Sequence, residues 1–171
     1  EINGQGPAIE EADIKKLYEK LDTLSDGDIL VLAGSIPDVM PGSMYMDIMK
    51  HLQNKDLKIV VDATKDLLVN VLQYHPFLIK PNNHELGEIF GVKIESKADV
   101  ITYAKKMQEK GARNVLVSMA GDGAVLVAED GSIFQSEAPK GKVVNSVGAG
   151  DSMVAGFIAG YLETVSYTHL T

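Results

Sequence analysis

The chain has 171 residues, with 24 acidic against 16 basic side chains, a formal charge of -8 and no cysteine. These numbers exclude a disulfide framework and a thiolate metal site, and they argue against nucleic acid or an anionic membrane as a partner, because an acidic surface repels phosphate backbones and headgroups. Hydrophobic residues make up 45% of the chain and are spread along it, enough for one packed core; no run of about 18 apolar residues would span a bilayer, and the expected compartment is the reducing cytoplasm.

After a turn at Gly4 and Pro7, Ile14, Leu17, Tyr18, Leu21 and Leu24 recur at spacings of three and four, which predicts a helix that stops at Ser25-Asp26-Gly27-Asp28. Residues 29–33 form a short apolar run between turn signals and predict a buried strand, followed by the loop Gly34-Ser35-Ile36-Pro37. A helix is expected over 43–53, a strand over 58–62, a helix over 66–73 and an apolar strand over 77–79 that Pro81 stops. Helical spacing returns over 84–90 and 97–110, with Gly111 as a C-cap candidate, and a further strand covers 115–118. This alternation implies a mainly parallel sheet with helices on both faces. From Gly121 onward the pattern changes: residues 124–128 and 132–136, split by Glu129-Asp130-Gly131, predict an antiparallel hairpin, and a helix follows over 151–162.

Two segments stand out chemically. Gly148-Ala149-Gly150-Asp151 opens an apolar helix, and a helix start built of small residues offers free N–H groups to an anion. Asp151 at its rim can take a proton from an attacking hydroxyl; the plainer reading is an Asp that caps a helix after a glycine turn. Lys80-Pro81-Asn82-Asn83-His84-Glu85 follows a strand, where ligand loops of open α/β sheets lie. Lys80 can neutralise phosphate and Glu85 can hold Mg²⁺ or its waters; the plainer reading is a proline stop, an Asn cap and a solvent-facing glutamate. The small residues between Ser118 and Ala124 suit either a nucleotide or a tight turn. Neither a Walker A loop nor a G-x-G-x-x-G fingerprint is present.

Taken in order, Gly34-Ser35-Ile36-Pro37, Lys80-Pro81-Asn82-x-x-Glu85, Ser118 to Ala124 and Gly148-Ala149-Gly150-Asp151 resemble the motifs of PfkB/ribokinase-family carbohydrate kinases, in particular bacterial members that phosphorylate fructose 1-phosphate. Tagatose-6-phosphate kinases belong to the same subgroup. The resemblance implies a ribokinase-like fold and the transfer of a phosphoryl group from ATP, with Mg²⁺, to a sugar phosphate; a homodimer is the expected assembly of the full-length protein. It makes Asp151 the catalytic base and Gly148, Ala149 and Gly150 the anion hole. Lys80 becomes an ATP-phosphate ligand, Asn82 and Glu85 the motif that organises Mg²⁺, Ser118, Gly121 and Gly123 part of a nucleotide-binding segment, and Ser35 a residue facing the substrate phosphate. A non-catalytic nucleotide or sugar-phosphate binding protein is the rival reading, and Asp151 beside the small-residue turn argues against it.

The sequence departs from the family pattern at Ala120, where glycine is usual. The resemblance places the family's N-terminal portion, with its sugar-binding residues and lid strands, outside these 171 residues, so residues 1–164 are expected to form a partial kinase domain that is inactive by itself, and 165–171 a foreign tail. Asp62, at a strand end beside Thr64 and Lys65, is a candidate metal or phosphate neighbour. The four histidines show no metal-ligand spacing, and Met40, Met44, Met46, Met49, Phe157 and Tyr161 are expected to serve packing.

Overall fold

The computed structural model describes residues 8–34, 36, 37, 40–142 and 147–164, so Ser35 and the expected tail at 165–171 lie outside the described residues. Helices α1 (Glu11–Asp22), α2 (Met44–His51), α3 (Lys65–Val71), α4 (Asn83–Phe90), α5 (Lys97–Glu109) and α6 (Ala149–Thr164) surround strands β1 (Ile29–Ala33), β2 (Lys58–Asp62), β3 (Leu78–Ile79), β4 (Asn114–Ser118), β5 (Ala124–Val127) and β6 (Ile133–Ser136). The strands form one sheet in sequential order. β1 to β4 run parallel, as their helical connections require, while β5 pairs antiparallel with both β4 and β6.

Side-chain alternation along the strands divides the core in two. Ile59, Val61, Ile79, Val115 and Val117 point to the face covered by the first five helices. Val60, Leu78, Leu116 and Leu126 point to the opposite face, where they pack on Val154 and Phe157 of α6. Burial of a side chain such as Phe157 contributes roughly 1.5–3 kcal/mol, which anchors α6 although its N-terminal turn is built of glycine and alanine. Tyr161, near the other end of α6, meets Phe77 edge to face at 4.9 Å. Of the four methionines read as packing residues, Met44 and Met49 are buried and Met40 lies against the same core, whereas Met46 is only half-buried and its Sδ accepts from the Gln73 amide at 3.7 Å.

The elements match the sequence expectation with small shifts of their ends. Helix α6 begins at Ala149, two residues before the predicted start, and β3 is a two-residue strand, although the Phe77 N–H still donates to the Ile59 carbonyl at 2.8 Å and the Phe77 carbonyl accepts from the Asn114 N–H at 3.1 Å. The C-cap of α5 is Lys110; the expected cap residue Gly111 comes one position later, at φ 129°, and its N–H donates to the Gln108 carbonyl at 2.9 Å. No helix among the described residues is long and apolar enough to cross a membrane.

Candidate active site

The same alternation that sends Val60 and Leu78 toward α6 sends Asp62 and Lys80, two residues further on, to the same face at the C-terminal ends of β2 and β3. Helix α6 crosses that face with its N-terminal turn above these strand ends. Lys80 Nζ lies 3.2 Å from Asp62 Oδ1, with the lysine side chain 9% and the aspartate side chain 20% exposed. Taking away either partner of a pair this enclosed leaves an uncompensated charge and costs about 3–5 kcal/mol.

Gly150, the second residue of α6, closes the arrangement from above. A Cβ at this position would stand 3.1 Å from Lys80 Nζ and 3.8 Å from Asp62 Oδ2. Gly148 has a φ of 80° and turns the chain into the helix; its carbonyl accepts from the Ser152 N–H at 2.9 Å and from the Ser152 hydroxyl at 2.8 Å. The N–H groups of Ala149, Gly150 and Asp151 precede that first helical bond and lack intrahelical partners, as the opening turn of any helix does. A buried ammonium and a positive helix end thus converge on one spot. Asp151 is exposed in the first turn of α6, inside the helix rather than at its cap, and lines with Asp62, Val31, Ala33 and Val154 a cavity of about 180 Å³.

Two residues past Lys80, Asn82 sits beside Ser118 of β4 in a parallel bridge that extends the β3 and β4 ladder, and the Ser118 N–H donates to the Pro81 carbonyl at 3.2 Å. Ser118 leads into a 3-10 turn, Ala120–Asp122, closed where the Met119 N–H donates to the Gly123 carbonyl at 2.8 Å. Gly121 is exposed with open space around it, while Gly123, at φ 85° and ψ -136°, is pressed against the backbone of Ser136. Ala120 has a φ of 48°, in the left-handed region. An alanine there carries a strain of roughly 1–2 kcal/mol, the physical reason why glycine suits this position.

Asn82 and Glu85 form a reciprocal capping box at the start of α4: the Asn82 N–H donates to Glu85 Oε2 and the Glu85 N–H to Asn82 Oδ1, both at 2.8 Å. The Asn cap of the plainer reading is therefore real, and it holds Glu85 one turn beyond Lys80. No group of three or more His, Cys, Asp or Glu residues among the described residues would cage a metal. A half-buried carboxylate with one oxygen committed to the cap fits a Mg²⁺ that keeps its waters and takes its other ligands from nucleotide phosphates, the usual habit of that ion.

Lys80 and Gly150 thus come together with Asp151 beside the Asp62 cavity, Asn82 lies two residues past Lys80 on the continuation of β3, and Ser118 stands next to it at the end of β4. Asp62, which the sequence offered only as a metal or phosphate neighbour, is the direct partner of Lys80. His84 is exposed, and His75 and His51 bond to the Gly111 carbonyl and to Asp22, away from these residues.

The profile of pfkB family carbohydrate kinases matches residues 1–170, and the chain belongs to that family. It is 49% identical over 160 residues to 1-phosphofructokinase of Bacillus subtilis, covering 94% of this chain and 52% of that protein. To the D-tagatose-1-phosphate kinase of Bacillus licheniformis it is 36% identical, covering 92% of this chain and 52% of the relative. The crystal structure of phosphofructokinase-2 from Escherichia coli in complex with substrates and products superimposes with a TM-score of 0.90 at 28% identity, covering 98% of this chain and 55% of that one. The chain spans about half the length of the curated relatives it matches.

Proposed function

We propose that this chain is the nucleotide-binding and phosphoryl-handling portion of a kinase that transfers the γ-phosphoryl group of ATP to the 6-hydroxyl of fructose 1-phosphate, giving fructose 1,6-bisphosphate, ADP and a proton. The observation that carries the reading is the meeting of Lys80, held by Asp62, with Gly150 of the helix that bears Asp151. Phosphoryl transfer needs little covalent help from a protein; it needs alignment and a place for negative charge. The Gly148 to Gly150 turn and Lys80 receive charge on the transferred group. Asp151, exposed at the mouth of the cavity, accepts the proton of the acceptor hydroxyl. Ser118, Gly121 and Gly123 border the nucleotide, and Asn82 with Glu85 would hold Mg²⁺ against its phosphates, where the ion screens charge between ATP and its acceptor. Ser35 keeps, from its motif alone, the role of a ligand to the phosphate already on the sugar.

A tagatose phosphate is the second acceptor to consider, favoured by the 36% identical D-tagatose-1-phosphate kinase. The test uses the kinase carried to the length of its relatives, with ADP release followed over fructose 1-phosphate, fructose 6-phosphate, tagatose 1-phosphate and tagatose 6-phosphate. Fructose 1-phosphate is expected to give the highest kcat/KM, and Asp151→Asn to lower kcat by ~100-fold or more with nucleotide affinity unchanged. Near-normal turnover in Asp151→Asn would remove the base, and no turnover on any of the four sugars would remove the reading.

A further inference from the structure

We infer that Tyr45 is a positioning residue for the acceptor side of the site, acting through the C-terminal end of β1; this rests on the kinase reading above. Tyr45 is the second residue of α2 and is buried, with a relative exposure of 9%, among Met44, Ile48 and Met49 of the same helix. Its hydroxyl leaves the core and donates to the Ala33 carbonyl at 2.8 Å, with the Gly34 carbonyl at 3.2 Å. A phenol has one proton, so the two acceptors share it and the nearer takes most of it.

These carbonyls lie where the chain leaves the sheet. The Gly34 N–H donates to the Asp62 carbonyl at 3.2 Å and continues the β1 and β2 ladder by one bond past Ala33. β1 has β2 as its one neighbour among the described residues, so the end of β1 is held from one side only. Ala33 is also a wall of the cavity that Asp62 and Asp151 share. The hydroxyl of Tyr45 therefore ties that wall to α2 and sets its distance from the two carboxylates. Burial, and after it the Asp62 carboxylate, raise the Tyr45 pKa above the ordinary phenol value, so the group stays a donor. Packing alone would be served as well by phenylalanine.

The Tyr45→Phe variant tests this in two ways. In the 171-residue chain, amide hydrogen exchange at Gly34 is expected to speed up by ~3- to 10-fold, the equivalent of one hydrogen bond, while Val60 and Val61 in the centre of the sheet keep their rates. In the kinase carried to the length of its relatives, the KM for the acceptor sugar phosphate is expected to rise by ~3- to 10-fold, with the KM for MgATP unchanged. Unaltered exchange at Gly34, or equal acceleration at Val60 and Val61, would overturn the inference, as would a KM change confined to MgATP. The exchange measurement needs no catalysis, so it stands apart from failure of the kinase reading itself.

Discussion

Gly150 rests on Lys80: a Cβ built on the glycine would stand 3.1 Å from the ammonium nitrogen, closer than such contacts ordinarily come, and 3.4 Å from Cε. The obstacle is the far end of a flexible side chain, so Gly150→Ala is expected to fold, and to gain up to ~1 kcal/mol from the better helix former. The ammonium must then move away from the N–H groups of the α6 turn. Misplacement by less than an ångström suffices to lower kcat by ~10-fold or more. Thermal melting and steady-state kinetics on one preparation separate the two effects; a stabler variant with full kcat would show that Lys80 and the turn do not act together.

The capping box makes Glu85→Gln a clean probe of the metal. Glutamine retains the oxygen that accepts from the Asn82 N–H, so the start of α4 survives, and the loss of a carboxylate from its first turn costs under ~1 kcal/mol. What disappears is a charged ligand. The Mg²⁺ concentration giving half-maximal rate is expected to rise several-fold while melting shifts little. An unchanged Mg²⁺ titration would leave Glu85 with the capping task alone.

Gly123 has a different constraint. A Cβ there would stand 1.9 Å from the Ser136 carbonyl oxygen and 2.8 Å from Glu137 Cα, both backbone atoms, and the φ of 85° is itself unfavourable for alanine. Gly123→Ala must push the end of β6 away from the 3-10 turn, at a cost of about 3 kcal/mol or more. Gly121, two residues earlier, has open space and no positive φ, so Gly121→Ala should stay within ~0.5 kcal/mol. Denaturant melts of the pair check the contrast; equal stability of the two variants would contradict the packing described for this loop.

Strands β1 and β2 were legible to the residue, because turn residues bracket short apolar runs and no competing period exists there. The start of α6 was not, since apolar periodicity begins only at Met153, whereas the helix nucleates in the small-residue turn before it. The Lys80 and Asp62 pair was out of reach for another reason. The two residues are far apart in sequence, and they meet only once β2 and β3 take a parallel register that puts both strand ends on one face. Asn82 and Glu85 show the reverse case: their three-residue spacing was plain, but it admits a cap and a metal motif alike, and the hydrogen bonds show the cap. Tyr45 carried no signal at all, because a tyrosine on an apolar helix face reads as core until its hydroxyl is seen on a strand end.

β1 is an edge of the sheet among the described residues, and Val31 in its middle is 43% exposed beside α6. An edge strand with apolar side chains offers unpaired N–H and C=O groups to any other chain, and native proteins usually blunt such an edge with charge or cover it. The relatives are about twice as long as this chain, so the 171 residues alone are expected to associate through β1 as concentration rises. Val31→Lys places a charge in the middle of that strand, and at so exposed a position it alters stability by no more than ~0.5 kcal/mol. Sedimentation velocity over a concentration series should show the variant shifted toward monomer. Leu162→Lys on α6 serves as the control: this leucine is 62% exposed but lies near the far end of the helix, beyond Tyr161 and away from the end that meets Ala33 and Asp62. If the edge is the route, Leu162→Lys leaves the association as it was; if both variants dissociate equally, general surface hydrophobicity rather than the β1 edge drives the contact.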